Sequence, residues 1–209
     1  DFGTAMIICA VTFTMLFVAG LRAKFLVYSV VAIVPFIVSA IMSAEYRTRR
    51  IIAFLDPWKD PSDANFQIIQ SFYAFGRGGI FGTGIGASHQ KLFYLPEAHT
   101  DFVFAVAAEE FGLIACLILV GLFAFIVLRG FTRVIKETNF FILLAVTGLL
   151  VQFGLQALVN MCSTLRLMPT KGMTLPFVSY GGSSLLSVSL CLGMVLALTR
   201  YRAGQETGI

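Results

Sequence analysis

Long apolar blocks constrain this chain of 209 residues more than any other feature. A membrane-spanning helix needs about 20 consecutive, predominantly apolar residues, and five blocks approach that length. They cover about residues 4–20, 25–44, 102–128, 140–162 and 185–199. Hydrophobic residues make up 58% of the chain and charged residues only 12%, which departs strongly from the composition of soluble domains. The sequence therefore predicts an integral membrane protein with five spans.

The length of the blocks also predicts their secondary structure. Backbone N–H and C=O groups in lipid must be hydrogen-bonded within the protein, which only helices and closed barrels achieve. Barrel strands would be about half as long and would alternate in polarity. We therefore expect an all-α fold, a polytopic membrane helix bundle that forms a single membrane domain over residues 1–209. Because the chain begins at Asp1 without a methionine or a basic leader, we expect a fragment that lacks its N-terminal part.

Basic residues in the short connections predict the orientation of the bundle. They are Arg22 and Lys24, then Arg129, Arg133 and Lys136, and finally Arg200 and Arg202. The positive-inside rule makes these connections cytoplasmic, so residues 45–101 form a long extracytoplasmic loop. Loops of that length translocate largely regardless of their own charge. We expect function to concentrate on the outer face.

The long loop contains a short helical segment and a glycine run. Residues 66–75 have apolar side chains at helical spacing but are too few to span a bilayer, which predicts a re-entrant or interfacial helix. Six glycines follow within residues 76–86 and indicate tight turns or close approach to a ligand, with a flexible loop as the equal alternative. The run fits neither phosphate-binding glycine motif, which argues against a nucleotide site.

The remaining composition excludes other classes of site. The formal net charge of +4 comes without a dense basic run, so we expect no nucleic-acid partner and assign the excess to anionic membrane lipids. Four cysteines without CxxC spacing are interpreted as small core residues rather than disulfides or metal ligands. They are Cys9, Cys116, Cys162 and Cys191. Ser88 to Lys91 match a Ser-x-x-Lys nucleophile motif, but its companion elements are missing, and we treat the match as chance.

Charged side chains directly before the third block form the strongest candidate site. Residues 95–102 read Leu-Pro-Glu-Ala-His-Thr-Asp-Phe and place Glu97, His99 and Asp101 beside the apolar run. Charged groups at the edge of a bilayer are usually functional. Asp101 has two interpretations: a general base among apolar neighbours, or a helix cap whose pKa is lowered by backbone N–H groups. The sequence leaves both open.

Polar residues inside the blocks have structural and functional interpretations. Glu109 and Glu110 lie deep in the third block, where we prefer a structural ion pair, for instance with a basic residue of loop 164–183, to a catalytic role. The fourth block carries a polar stripe formed by Gln152, Gln156 and Asn160. This stripe favours hydrogen bonds between helices over a channel for lipid head groups.

The loop over residues 169–184 is rich in Pro, Gly and hydroxyl side chains, which predicts a shaped loop. Its Lys171 could contact phosphate, or could extend to the membrane edge as lysines commonly do.

Four ordered motifs closely resemble the SEDS family of FtsW, RodA and SpoVE. They are Asp-Phe-Gly-Thr at residues 1–4, Arg-Arg-Ile-Ile-Ala-Phe-Leu-Asp-Pro-Trp at 49–58, the 95–102 motif, and Leu-Pro-Phe-Val-Ser-Tyr-Gly-Gly-Ser-Ser at 175–184. Family members have ten helices, so the resemblance implies that this chain is their C-terminal half. Residues 96–102 are more similar to division members, FtsW, than to elongation members, RodA.

The resemblance implies a peptidoglycan glycosyltransferase that polymerises lipid II at the outer face of the bacterial cytoplasmic (inner) membrane. It implies a multi-pass protein at the division septum, working with a class B penicillin-binding transpeptidase and other divisome proteins. Asp101 would be the general base, and a divalent cation, Mg²⁺ or Mn²⁺, could bridge Asp101 or Glu97 to the diphosphate. The residues expected to bind substrate are Lys171, Glu97, His99, Arg50 and Arg47.

Two functions of other classes stay open as alternatives: a lipid II flippase, and a noncatalytic division scaffold. A flippase would need polar groups that reach both faces of the membrane, and a scaffold would tolerate replacement of the loop residues. Activity of the fragment alone is a separate question, because half of the implied bundle would be missing.

Overall fold

The structure is a computed structural model that describes residues 2–42, 64–88, 100–168 and 172–200. Within these ranges the chain forms six helices and no strand. The helices are α1 (Phe2–Val18), α2 (Ala23–Met42), α3 (Ala64–Gly78), α4 (Val103–Val134), α5 (Phe140–Thr164) and α6 (Gly182–Leu198). Each of the five apolar blocks is a helix, and residues 66–75 lie within α3. The predicted all-α fold is confirmed.

The helices differ in whether they could cross a bilayer on their own. By length and composition α4 and α5 qualify, with 32 and 25 residues. The apolar segments Gly3–Val18, Ala23–Pro35 and Gly182–Leu198 are shorter. Pro35 lies inside α2, where its ring removes one backbone hydrogen bond. The predicted topology of five spans around a single membrane domain, with 45–101 outside, stays a prediction.

Helix α5 is the centre of the packing, since α1, α4 and α6 all contact it. The main buried cluster joins α4 and α5 through Phe104, Phe123, Phe153 and Met161. Leu175, from the loop before α6, inserts into the same cluster. Between helices in a membrane, such contacts are stabilised by van der Waals packing rather than by removal of apolar surface from water. The loop that carries Leu175 is therefore anchored to the bundle.

The interpretation of the cysteines as core residues is confirmed for Cys116 and wrong for Cys9. All four cysteines are free thiols, and Cys116 is buried in the α4–α5 cluster. Cys162 and Cys191 are partly buried. Cys9 is exposed on α1, because helical periodicity turns part of any apolar helix away from its neighbours.

Helix α4 is broken at Gly112, where the backbone has φ 75° and ψ −171°. In a regular helix the N–H groups of Leu113 and Ile114 would donate to the carbonyls of Glu109 and Glu110. Here Leu113 N donates to Gly79 O at 3.0 Å, and Ile114 N donates to Ile80 O at 3.4 Å. The segment after α3 thus enters the hydrogen-bond ladder of α4.

The displaced carbonyls of α4 are satisfied by the same segment. Thr83 N donates to Glu109 O at 2.9 Å, and Gly84 N donates to Glu110 O at 3.1 Å. A Cβ atom on Gly78 would collide with the Ala108 carbonyl, and one on Gly82 would collide with the Glu110 carbonyl. The glycine run therefore serves close backbone approach, as predicted, but the partner is α4 rather than a ligand. The bonds to α4 disfavour the flexible-loop alternative for residues 79–84.

Three alanine substitutions should separate steric contact from backbone conformation in this segment. We expect Gly82→Ala to lower the free energy of unfolding by about 1–2 kcal/mol more than Gly86→Ala, because both glycines have positive φ but only Gly82 meets the α4 backbone. Gly76 lies in α3 with nothing near its Cβ position, so Gly76→Ala should be neutral or stabilising. Thermal unfolding in detergent measures the order, and equal melting temperatures for all three variants would contradict it.

Candidate functional site

Asp101 lies in the turn that leads into α4. It is partly buried, and the next residue, Phe102, is the N-cap of the helix with φ −108° and ψ 17°. Phe102 and Phe104 are both 3% exposed, so apolar side chains follow the aspartate directly. Phe102, which provides no side-chain cap, takes the N-cap position itself, and Asp101 lies one residue before it.

The polar stripe of α5 contacts a loop rather than another helix. Asn160 is buried, and its Nδ2 donates to Asp101 O at 3.1 Å and to Met173 O at 2.5 Å. One turn away, Gln156 Nε2 donates to Thr174 O at 3.1 Å. The prediction of helix-to-helix hydrogen bonds is wrong for these two residues, because periodicity identifies a face of a helix but not what covers it.

Gln152, the third residue of the stripe, lies in different surroundings. It is exposed and lines a cavity of about 550 Å³ between α1, α5 and α6. The other lining residues are Val11, Met15, Phe141, Ala145, Gly148, Leu149, Met194, Ala197 and Leu198. Because these side chains are apolar, the stripe does not continue as a polar channel in this part of the bundle.

The loop before α6 has a defined shape, as its sequence predicts. Ser179 Oγ donates to Thr100 O at 2.5 Å and accepts from Leu175 N at 2.8 Å. Val178 N donates to Leu175 O at 3.2 Å, which closes a turn with Phe177 at φ 62°. Ser179 therefore joins this loop to the residue that precedes Asp101.

The Asp101 carboxylate faces this loop at Gly172. An ideal Cβ on Gly172 would lie 3.4 Å from Asp101 Oδ2, and Gly172 has φ 61°. Both observations favour glycine here, because a side chain would add a left-handed backbone penalty next to the carboxylate. Lys171 precedes Gly172 in sequence. Five of the predicted site residues lie outside the described residues, and their roles stay predictions. They are Lys171, Glu97, His99, Arg47 and Arg50.

Glu109 forms a second polar site, about two turns into α4. Its side chain is fully buried, accepts a hydrogen bond from Ser88 Oγ at Oε2 (2.5 Å), and lies 4.0 Å from Arg77 Nε through Oε1. The predicted structural ion pair is confirmed for Glu109, but its partner comes from α3 and not from loop 164–183, and for Glu110 it stays a prediction. Glu110, also largely buried, follows it.

Sequence reasoning missed both partners of Glu109. In the sequence Ser88 stands out only as part of a Ser-x-x-Lys match. In the structure its hydroxyl donates a hydrogen bond to the Glu109 carboxylate. Arg77 could have been predicted as the cation near Glu109, because it is the only basic residue between residues 64 and 88. A buried carboxylate needs a nearby cation or hydrogen-bond donors.

Comparison with known proteins gives one consistent result. The profile of the family described as "Cell cycle protein" (FtsW, RodA, SpoVE) matches residues 1–204. A Geobacter metallireducens protein named "Probable peptidoglycan glycosyltransferase FtsW" is 44% identical over 98% of this chain and 54% of its own length. The protein of the same name from Saccharophagus degradans is 47% identical over 99% of this chain and 54% of its own length. The chain thus spans about half the length of these relatives.

Two solved structures share the fold. One, described as "Structural coordination of polymerization and crosslinking by a peptidoglycan synthase complex", is 29% identical with a TM-score of 0.73, over 97% of this chain and 57% of the other. A variant of the rod shape determining protein RodA from Thermus thermophilus is 26% identical with a TM-score of 0.58, over 97% of this chain and 51% of the other. The prediction of a membrane protein and its resemblance to the FtsW, RodA and SpoVE family are both confirmed. The chain belongs to the Cell cycle protein family of FtsW, RodA and SpoVE.

Proposed function

We propose that the protein to which this chain belongs is a peptidoglycan glycosyltransferase. It polymerises lipid II into glycan strands at the outer face of the cytoplasmic membrane, with Asp101 as general base. The observation that supports this most directly is the position of the Asp101 carboxylate against Gly172, in the loop that also carries Lys171. The names of the relatives support the reaction class.

The proposed reaction joins the 4-hydroxyl of an acceptor sugar to the anomeric carbon of the donor. Asp101 takes the hydroxyl proton as the new C–O bond forms. The bond from the anomeric carbon to the diphosphate breaks, and the undecaprenyl diphosphate leaves with its electron pair. Lys171, Arg47 and Arg50 would neutralise that developing charge, with Glu97 and His99 as supporting contacts. An aspartate beside an apolar bundle suits a substrate with a polar head and a lipid tail.

A divalent cation, Mg²⁺ or Mn²⁺, is part of the proposal. Within the described ranges no three His, Cys, Asp or Glu side chains form a metal-binding group. The fit therefore depends on Asp101 or Glu97 together with phosphate oxygens of the substrate, and Mg²⁺ commonly binds one or two carboxylates together with phosphates. When bound, such an ion would supply positive charge to the leaving diphosphate.

The proposed partner is a class B penicillin-binding transpeptidase, with other divisome proteins at the septum. The similar structure described as a peptidoglycan synthase complex, coordinating polymerization and crosslinking, supports a transpeptidase partner. Relatives named FtsW support the division role.

The test is polymerisation of labelled lipid II by the purified full-length protein with its transpeptidase partner. We expect glycan strands on a gel, formed with added Mg²⁺ or Mn²⁺ and reduced by a chelator. A parallel assay in vesicles follows movement of the same labelled lipid between leaflets. Movement without strand formation would replace the proposal with the flippase, and neither activity would favour the scaffold.

A further inference from the structure

Asn160 occupies an unusual position between two separate segments of the site. Its side chain is 1% exposed and reaches from α5 to the turn before α4 and to the loop before α6. Both bonds use the same amide nitrogen and both acceptors are backbone carbonyls, so only the NH₂ end of the amide can face them. The orientation of the side chain is therefore fixed by its two partners.

The two carbonyls belong to functionally distinct segments. One is the carbonyl of Asp101 itself, the proposed base. The other belongs to Met173, adjacent to Gly172, whose backbone faces the Asp101 carboxylate. One nitrogen atom thus keeps the Asp101 and Met173 carbonyl oxygens within two hydrogen-bond lengths of each other.

We infer that Asn160 is a positioning residue for glycan polymerisation, which fixes the Asp101 base relative to the loop over residues 172–174. This inference rests on the proposed function and adds a residue that does not itself touch the substrate. Proton transfer requires the base within hydrogen-bond reach of the acceptor hydroxyl, and a displacement of about 1 Å can lower a rate about 100-fold. Loss of Asn160 should therefore act on the chemical step.

Gln156 provides a matched control on the same face of α5. It donates to Thr174 O and Thr174 Oγ1, so it holds the same loop, but it makes no bond to Asp101. Gln156→Leu should loosen the loop alone, whereas Asn160→Leu should loosen both the loop and the Asp101 turn.

The experiment uses the full-length protein with its transpeptidase partner and lipid II. We expect Asn160→Leu to lower kcat about 100-fold with KM changed less than about threefold, and Gln156→Leu to lower kcat less than about tenfold. Measured against the wild type at each pH, Asn160→Asp should regain part of its relative kcat as the pH falls, because a protonated carboxyl can donate to one carbonyl. Asn160→Leu has no group that could produce this recovery.

Hydrogen exchange provides a readout that does not depend on activity. In Asn160→Leu, amides in residues 102–106 and 173–175 should both exchange faster, whereas in Gln156→Leu only residues 173–175 should change. If the wild type makes no strands but the two variants show this exchange pattern, the proposed function fails, whereas the link that Asn160 makes between the two segments stands. Unchanged kcat with unchanged exchange would overturn the inference alone, as would a kcat loss that merely follows a lower melting temperature.

Discussion

Asp101→Asn is expected to lower kcat for lipid II polymerisation by about 10²–10⁴-fold while the protein still inserts and binds its partner. Asparagine has nearly the same shape as aspartate but cannot accept the proton of the acceptor hydroxyl. The backbone carbonyl of residue 101 is unchanged, so the hydrogen bond from Asn160 should persist. The rate of strand formation by the full-length protein, at a fixed concentration of partner, measures the effect.

A control separates the chemistry of Asp101 from the shape of its turn. Ser179→Ala removes the hydroxyl that donates to Thr100 O, and so weakens the turn while leaving the carboxylate in place. We expect it to lower kcat far less than Asp101→Asn. Full polymerisation by Asp101→Asn, with lipid II consumed at the wild-type rate, would remove Asp101 from the mechanism.

The length of the apolar blocks predicts the helices of this chain well, because block length depends on local sequence alone. The blocks that form α4 and α5 are recognised from predominantly apolar residues, and α3 from helical spacing that ends at a glycine run. The Asp101 turn was predicted as a site because charge beside a membrane helix is costly without a role.

The break in α4 could not be predicted in the same way. A glycine inside a helical pattern is usually tolerated, and Gly112 gives no local signal of a positive φ. Its conformation depends on residues 79–84, which are distant in sequence and replace helical partners in the backbone ladder. This replacement of hydrogen-bond partners depends on tertiary structure. The same is true of Asn160, whose partner is a loop rather than a helix.

The pairing of Arg77 with Glu109 depends on the same tertiary arrangement. The α3–α4 contact brings a half-exposed guanidinium, 49% accessible, to a carboxylate with 0% accessibility. The two groups differ in what happens when the partner is removed. Arg77 can regain water, whereas the Glu109 carboxylate has no path to solvent without opening the contact between the helices.

This asymmetry predicts unequal effects of two single substitutions. We expect Arg77→Met to lower the free energy of unfolding by about 2 kcal/mol, because it takes a half-exposed cation away from a buried charge. Glu109→Gln should cost only about 1 kcal/mol, since the amide oxygen can still accept from Ser88 and the freed guanidinium can hydrate. Unfolding of the purified protein in detergent, followed by melting temperature and by denaturant, gives both values.

The double variant decides whether the two groups interact across the 4.0 Å that separates Arg77 Nε from Glu109 Oε1. Once Glu109 is neutral, the loss of Arg77 leaves no uncompensated charge, so Arg77→Met with Glu109→Gln should be more stable than Arg77→Met alone. Contacts between coupled residues typically give interaction energies of about 0.5–3 kcal/mol in such a cycle. Strict additivity of the two single effects would show that Arg77 and Glu109 do not stabilise each other.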